Sequence, residues 1–164
     1  MVFNEEFNNI IKNSRDLAIQ YESRFIFSYH FLLALKDSKG IAGKIIKSNN
    51  WDFGPIEEAL LRDEATEILD KYFLLREFEN SIKNSNFYSW VYNQHTVKPE
   101  HVLFAMLADK DSLAGKHLRS IGVTYSSFKK DYQILKETNT KSFFEILGKN
   151  IFFVTIGFPR FIKK

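Results

Sequence analysis

Two histidines open matching runs. His30-Phe31-Leu32-Leu33-Ala34-Leu35 and His101-Val102-Leu103-Phe104-Ala105-Met106 lie 71 residues apart. A recurring histidine could ligate a metal or exchange protons near neutral pH. It could equally cap a helix, its polar edge bonded to backbone and its ring packed. Recurrence inside a repeat favours the second role, because duplication explains it without catalysis. His95 and His117 lack a ligand-like partner at helical spacing, and there is no His-Glu-x-x-His. Glu57-Glu58 and Asp63-Glu64-Glu67 offer paired carboxylates, but they fall on the polar side of periodic segments and read as a solvated face. The chain has no Gly-x-Ser-x-Gly elbow, no acid-rich calcium loop and no Gly-x-x-x-x-Gly-Lys-[Ser/Thr] phosphate loop. Gly40 to Lys44 has the wrong spacing for the last, and Ile45 follows it. No nucleophile, base and oxyanion site assemble. The expectation is a chain that is not an enzyme, with no catalytic residue, no metal and no cofactor.

Aromatic residues supply binding chemistry instead. They make up 16% of the 164 residues, 17 of them Phe, more than one small core needs. Trp51 and Trp90 are expected to complete the cores of their own halves. Phe87, Tyr88 and Tyr92 surround one helix, which points to contact with the C-terminal tail or with a partner's groove. Net charge is +3, with the two signs interspersed, so no basic face for nucleic acid stands out. No cysteine is present, which excludes disulfides, thiol catalysis and cysteine-based zinc sites. The acidic start and the lack of an apolar h-region do not read as a signal peptide, and no apolar run is long enough to span a membrane. A cytoplasmic protein is expected.

Helices must position these residues. Phe7, Ile10, Ile11, Leu17, Ala18 and Tyr21 recur at helical spacing behind Asn4, a natural N-cap, with Glu5 and Glu6 in the first turn. Ser28 reads as the cap of a second helix whose run from Phe31 to Leu35 is apolar all round, as in a buried helix. A short third helix carries Ile41, Ala42, Ile45 and Ile46. Asp52 caps a fourth, with Pro55 in its first turn and Ile56, Ala59 and Leu60 facing inward. Residues 63 to 76 are charged but periodic and read as a linking helix.

The second half then repeats the first. Ile41-Ala42-Gly43-Lys44 matches Leu113-Ala114-Gly115-Lys116, Phe7 falls opposite Phe78, and Ile11 opposite Ile82. Asn50-Trp51-Asp52-Phe53 matches Gly122-Val123-Thr124-Tyr125. A repeat of this size means a duplicated unit whose copies bury each other's apolar faces. The expected architecture is all-α: a duplicated four-helix unit forming a pseudo-twofold bundle of about eight helices. It occupies residues 1–139, with repeats at about 3–62 and 74–137. Residues 140–164 form an apolar, basic C-terminal extension. There, Ile151 to Ile156 has strand propensity, and Gly148, Gly157 and Pro159 argue against a long helix. The extension is expected to fold back across the bundle, to dock on another protein, or to rest on a membrane surface.

The pattern resembles the N-terminal double-repeat domain of Clp ATPases of the ClpA and ClpC type. Ser28-Tyr29-His30-Phe31-Leu32-Leu33-Ala34-Leu35 and Gly40-Ile41-Ala42-Gly43-Lys44 carry the resemblance. So do Pro99-Glu100-His101-Val102-Leu103-Phe104-Ala105-Met106, Leu113-Ala114-Gly115-Lys116 and Ile121-Gly122-Val123. The resemblance implies a protein-protein interaction module that captures adaptors or substrate segments. Its partner would be a protein or peptide: a Clp-type ATPase, its adaptor or its substrates. No nucleic acid and no stable membrane insertion are expected, and the oligomeric state is left open. In some relatives a Thr-Glu before each His reads phosphorylated arginine. Here those positions are Ser28-Tyr29 and Pro99-Glu100, so only Glu100 keeps the acid. The expected partner-binding residues are therefore Ser28, Tyr29, Glu100, Phe87, Tyr88 and Tyr92. Alternative readings are a membrane-surface or nucleic-acid binder acting through the basic aromatic tail, and a His-dependent enzyme.

Overall fold

Asn4 starts the first helix as its residue type predicts: its side-chain oxygen accepts the Phe7 N–H at 2.9 Å. The computed structural model describes residues 1–62 and 73–156, with side chains described up to residue 140. Among them the helices are α1 (Glu5–Gln20), α2 (Ser28–Lys36), α3 (Ile41–Ser48), α4 (Gly54–Leu61), α5 (Arg76–Val91), α6 (Pro99–Ala108), α7 (Leu113–Ser120) and α8 (Tyr125–Ile156). No strand is present among the described residues, and none of their helices is long and apolar enough to cross a membrane.

Matched local devices terminate equivalent helices. Glu22 after α1 and Asn93 after α5 both adopt positive φ, 52° and 53°. In each case the next residue's N–H returns to the preceding helix, Ser23 to the Ala18 carbonyl and Gln94 to the Ser89 carbonyl. Asn50 and Gly122 do the same after α3 and α7.

The halves are joined reciprocally. Phe3 forms a parallel bridge with Val97, and Leu74 forms one with Ile26. Asn4 N–H donates to the Val97 carbonyl at 3.0 Å, and Leu75 N–H donates to the Ile26 carbonyl at 3.0 Å. Each repeat therefore lays its leading residues against the α1–α2 or α5–α6 turn of the other. Rings continue the exchange: Phe31 of α2 packs against Phe78 of α5, its centroid 5.3 Å away. Phe104 lies at the centre of the second repeat, with Phe128 at 4.8 Å and Tyr92 at 4.8 Å. The buried run from Phe31 to Leu35, and its counterpart from Val102 to Leu107, supply much of the shared core.

Several expectations are corrected. The linking helix does not reach residue 76, because Leu74 is committed to its bridge and α5 begins at Arg76. Residues 63–72, including Asp63, Glu64 and Glu67, lie outside the described residues. Trp51 is buried, but Trp90 is 76% exposed and completes no core. Ala59 faces solvent, although Ile56 and Leu60 are buried. Ile151 to Ile156 is helical, as the last turns of α8. Backbone hydrogen bonding there continues through Gly148, so local strand propensity and the glycine are both overridden. The docking expected of the extension, residues 140–164, depends on side chains that from residue 141 onward lie outside the described ones.

Candidate partner-binding site

Both histidines are consumed by the backbone. His30 Nδ1 accepts the Phe27 N–H at 3.0 Å, and His101 Nδ1 accepts the Lys98 N–H at 3.0 Å. Each imidazole thus does the work that Glu usually does in a capping box. An accepting Nδ1 places the ring proton on Nε2. In the first repeat that proton faces Ser23 Oγ at 3.2 Å. In the second, Nε2 has no partner among the described residues. Burial lowers the pKa of both to about 4. At His101 the positive charges of Lys98 and Lys136 add to the effect. Among the described residues, no group of three or more His, Asp or Glu could hold a metal.

The residues at the phosphoarginine positions are drawn inward. Ser28 is fully buried and does not cap its own helix. Its Oγ instead accepts the Ala114 N–H at 3.1 Å, capping α7 of the opposite repeat. Glu77 completes that junction. Its two carboxylate oxygens accept the Ser28 N–H at 3.0 Å and the Leu113 N–H at 3.2 Å, satisfying the first turns of α2 and α7 together. Tyr29 is half-buried, its pKa raised by burial and then by Glu77. Glu100 is 2% exposed. Burial lifts its carboxyl to about 7, with Glu6 adding and Lys98 and Lys136 opposing. Neither Ser28 nor Glu100 therefore presents a polar group to an incoming ligand.

The aromatic candidates divide. Tyr92 stacks on Phe104 and meets Tyr132 edge-on at 4.9 Å, so it belongs to the second repeat's core. Burial, followed by Tyr125, raises its pKa. Tyr88 stacks on Phe104 at 5.7 Å on one side and meets exposed Phe87 edge-on at 5.4 Å. Phe87 and Tyr88 line a cleft of about 410 Å³ between α5 and α6, with Asn80, Asn84, Ala105 and Asp109. Trp90 and Val91 are also exposed, at the end of α5.

Comparison with known proteins fits this geometry. Residues 75–143 match the Clp repeat (R) N-terminal domain family. The chain has the Clp N-terminal double-repeat fold. It superposes on the Hsp104 N-terminal domain from Candida albicans with a TM-score of 0.69, at 18% identity, over 83% of this chain and 92% of that one. A structure from a malarial protein secretion system gives 0.67 at 21% identity, over 81% and 93%. The ClpV N-domain solved with a VipB peptide gives 0.64 at 16% identity, over 79% and 84%. No curated protein matches the chain, and no ATPase module lies within these 164 residues.

Against this Clp N fold, sequence reasoning missed three features. Glu77 was overlooked although Glu6 precedes it by the repeat offset. Trp90 was placed in the core, because aromatic type outweighed its helical phase: buried Ser85 and Ser89 mark the inward face of α5. The pairs Asn9/Asn13 and Asn80/Asn84 also recur at that offset and face equivalent clefts.

Proposed function

We propose that this chain is a protein-binding module that holds a segment of a partner against the α5–α6 surface. The observation that carries the reading is the exposed ring of Phe87 on that cleft, with further apolar side chains exposed later on the same helix. Phe87 is 59% exposed and Trp90 76%, with Val91 alongside. Large rings left in water beside a cleft are typical anchors for a partner's apolar side chains. The ClpV N-domain, which shares the fold, was solved with a VipB peptide, and this supports the class of partner. Within that class, the partner would be a Clp-type ATPase, its adaptor or a substrate. The chain would act by binding and not by catalysis, since both repeat histidines are committed to capping.

The test compares the wild-type chain with a Phe87→Ser/Trp90→Ser variant in affinity capture from lysate, followed by native-gel association with a purified Clp-type ATPase. Both side chains are exposed, so stability should change by less than about 0.5 kcal/mol per site. Loss of one specific captured protein in the variant is the expected result. An identical set of captured proteins with both chains would overturn the reading.

A further inference from the structure

The α5–α6 cleft has a counterpart in the first repeat. A cleft of about 470 Å³ lies between α1, α2 and the turn before α3. Asn9, Asn13 and Ala34 line it at the positions that Asn80, Asn84 and Ala105 hold in the second repeat. All four asparagines are exposed, and their carboxamides make no hydrogen bond among the described residues. A carboxamide offers a donor and an acceptor side by side, the same set as a peptide unit. Two of them four residues apart on a helix are separated by about 6 Å along its axis. That is close to the roughly 6.8 Å spanned by two residues of extended chain. The spacing suits main-chain contacts to every second peptide unit of a bound segment.

The rims of the two clefts differ. Phe87 and Tyr88, towards the C-terminal end of α5, line the second cleft, whereas Glu5 and Glu6 at the start of α1 and Asp37 after α2 line the first, against Lys39 alone. Glu6 accepts a hydrogen bond from the Ser38 hydroxyl. Among the described residues none of the three carboxylates forms an ion pair. Nearby Lys47 is bonded to the Ser38 carbonyl at 3.4 Å. The floor, Ile10 and Ala34, is buried and apolar. A long methylene stem could lie on that floor with a cation at the rim.

We propose that the α1–α2 cleft binds an extended peptide segment bearing a lysine or arginine. Asn9 and Asn13 hold its main chain, and Glu5 and Asp37 take its cation. The proposal rests on the reading of the chain as a peptide-binding module but uses a different surface.

The experiment titrates the isotope-labelled full chain, observed by amide NMR, with acetyl-Ala-Arg-Ala-Arg-Ala-amide and, separately, with its Glu-for-Arg counterpart. The arginine peptide should shift the amides of Asn9, Asn13 and Gly40, and raising salt from about 0.05 M to about 0.3 M should weaken binding severalfold. Glu5→Gln/Asp37→Asn should lower affinity about tenfold, and Asn9→Ala/Asn13→Ala should lower it comparably, with circular dichroism reporting an unchanged fold. The proposal is overturned if those amides do not move, if the glutamate peptide binds equally, or if the Glu5/Asp37 variant binds as wild type. The lysate partner should be retained by Glu5→Gln/Asp37→Asn and lost by Phe87→Ser/Trp90→Ser. Failure of the acidic cleft is thereby separated from failure of the aromatic one.

Discussion

Replacing Glu77 with alanine should loosen the junction between the two repeats more than its half-exposed position would imply. One carboxylate satisfies the first N–H of α2 and the first N–H of α7, at 3.0 and 3.2 Å. Ser28 Oγ and Ser112 Oγ take the next two amides of α7, at 3.1 and 3.2 Å. A hydrogen bond to a charged group contributes about 1.5–3 kcal/mol. Allowing for water reaching one side of the site, the loss of two should cost about 2–4 kcal/mol. Gln at 77 has one acceptor and one donor, so it can serve only one of the two amides and should fall between Ala and wild type. Ser28→Ala should cost about 1–3 kcal/mol, because it strands a buried N–H. The double variant should depart from additivity by at least about 0.5 kcal/mol, since both side chains act on the same helix ends. Urea unfolding with unchanged m-values measures all four variants. A Glu77→Ala variant within about 0.5 kcal/mol of wild type would refute the argument that this carboxylate holds the halves together.

Two further outcomes follow from buried groups. His30 and His101 titrate near 4 when folded, against an ordinary 6.5; as pH falls through that window the unfolded chain takes up protons that the native state refuses, so stability declines. Glu100 acts oppositely: its native pKa is about 7 against 4.5, so stability is lost as pH rises from 4.5 to 7. Glu100→Gln should therefore stabilise the fold by on the order of 1–3 kcal/mol at pH 8 and by little near pH 4.5, as measured by thermal melts at the two values; an equal gain at both would contradict the assignment. Gly43→Ala and Gly115→Ala should each destabilise by at least about 2 kcal/mol, because a Cβ there runs into the backbone carbonyls of Ser38 and Met106. Wild-type melting curves for either variant would show that these contacts can relax.

Whatever depends on period or on duplication could be read from the chain. The apolar runs, the Asn4 cap and the capping histidines all have neighbours within four residues. What escaped depends on distance. Ser28 was read as the cap of its own helix, yet its hydroxyl is bonded 86 residues away. The stretch at 73–75 keeps an apolar helical period, but reciprocal bridging claims its backbone. Trp90 illustrates a different limit: residue type argued for burial, while the phase set by buried Ser85 and Ser89 turned it to solvent. Tyr88 and Tyr92 share a helix face, yet only the first reaches the cleft, because Phe104 and Tyr132 enclose the second.

The crossed leads, Phe3 onto Val97 and Leu74 onto Ile26, have an evolutionary implication. A single repeat by itself would have an open edge beside its second helix and a lead suited to cover the edge of another copy. Such a unit would be complete only as a pair, and fusion of two copies would turn a concentration-dependent assembly into an intramolecular one. Joined in one chain, two copies can differ in their clefts without losing their mutual fit. One cleft could keep an acidic rim while the other gained rings, so that a single scaffold could hold two unlike ligands at once.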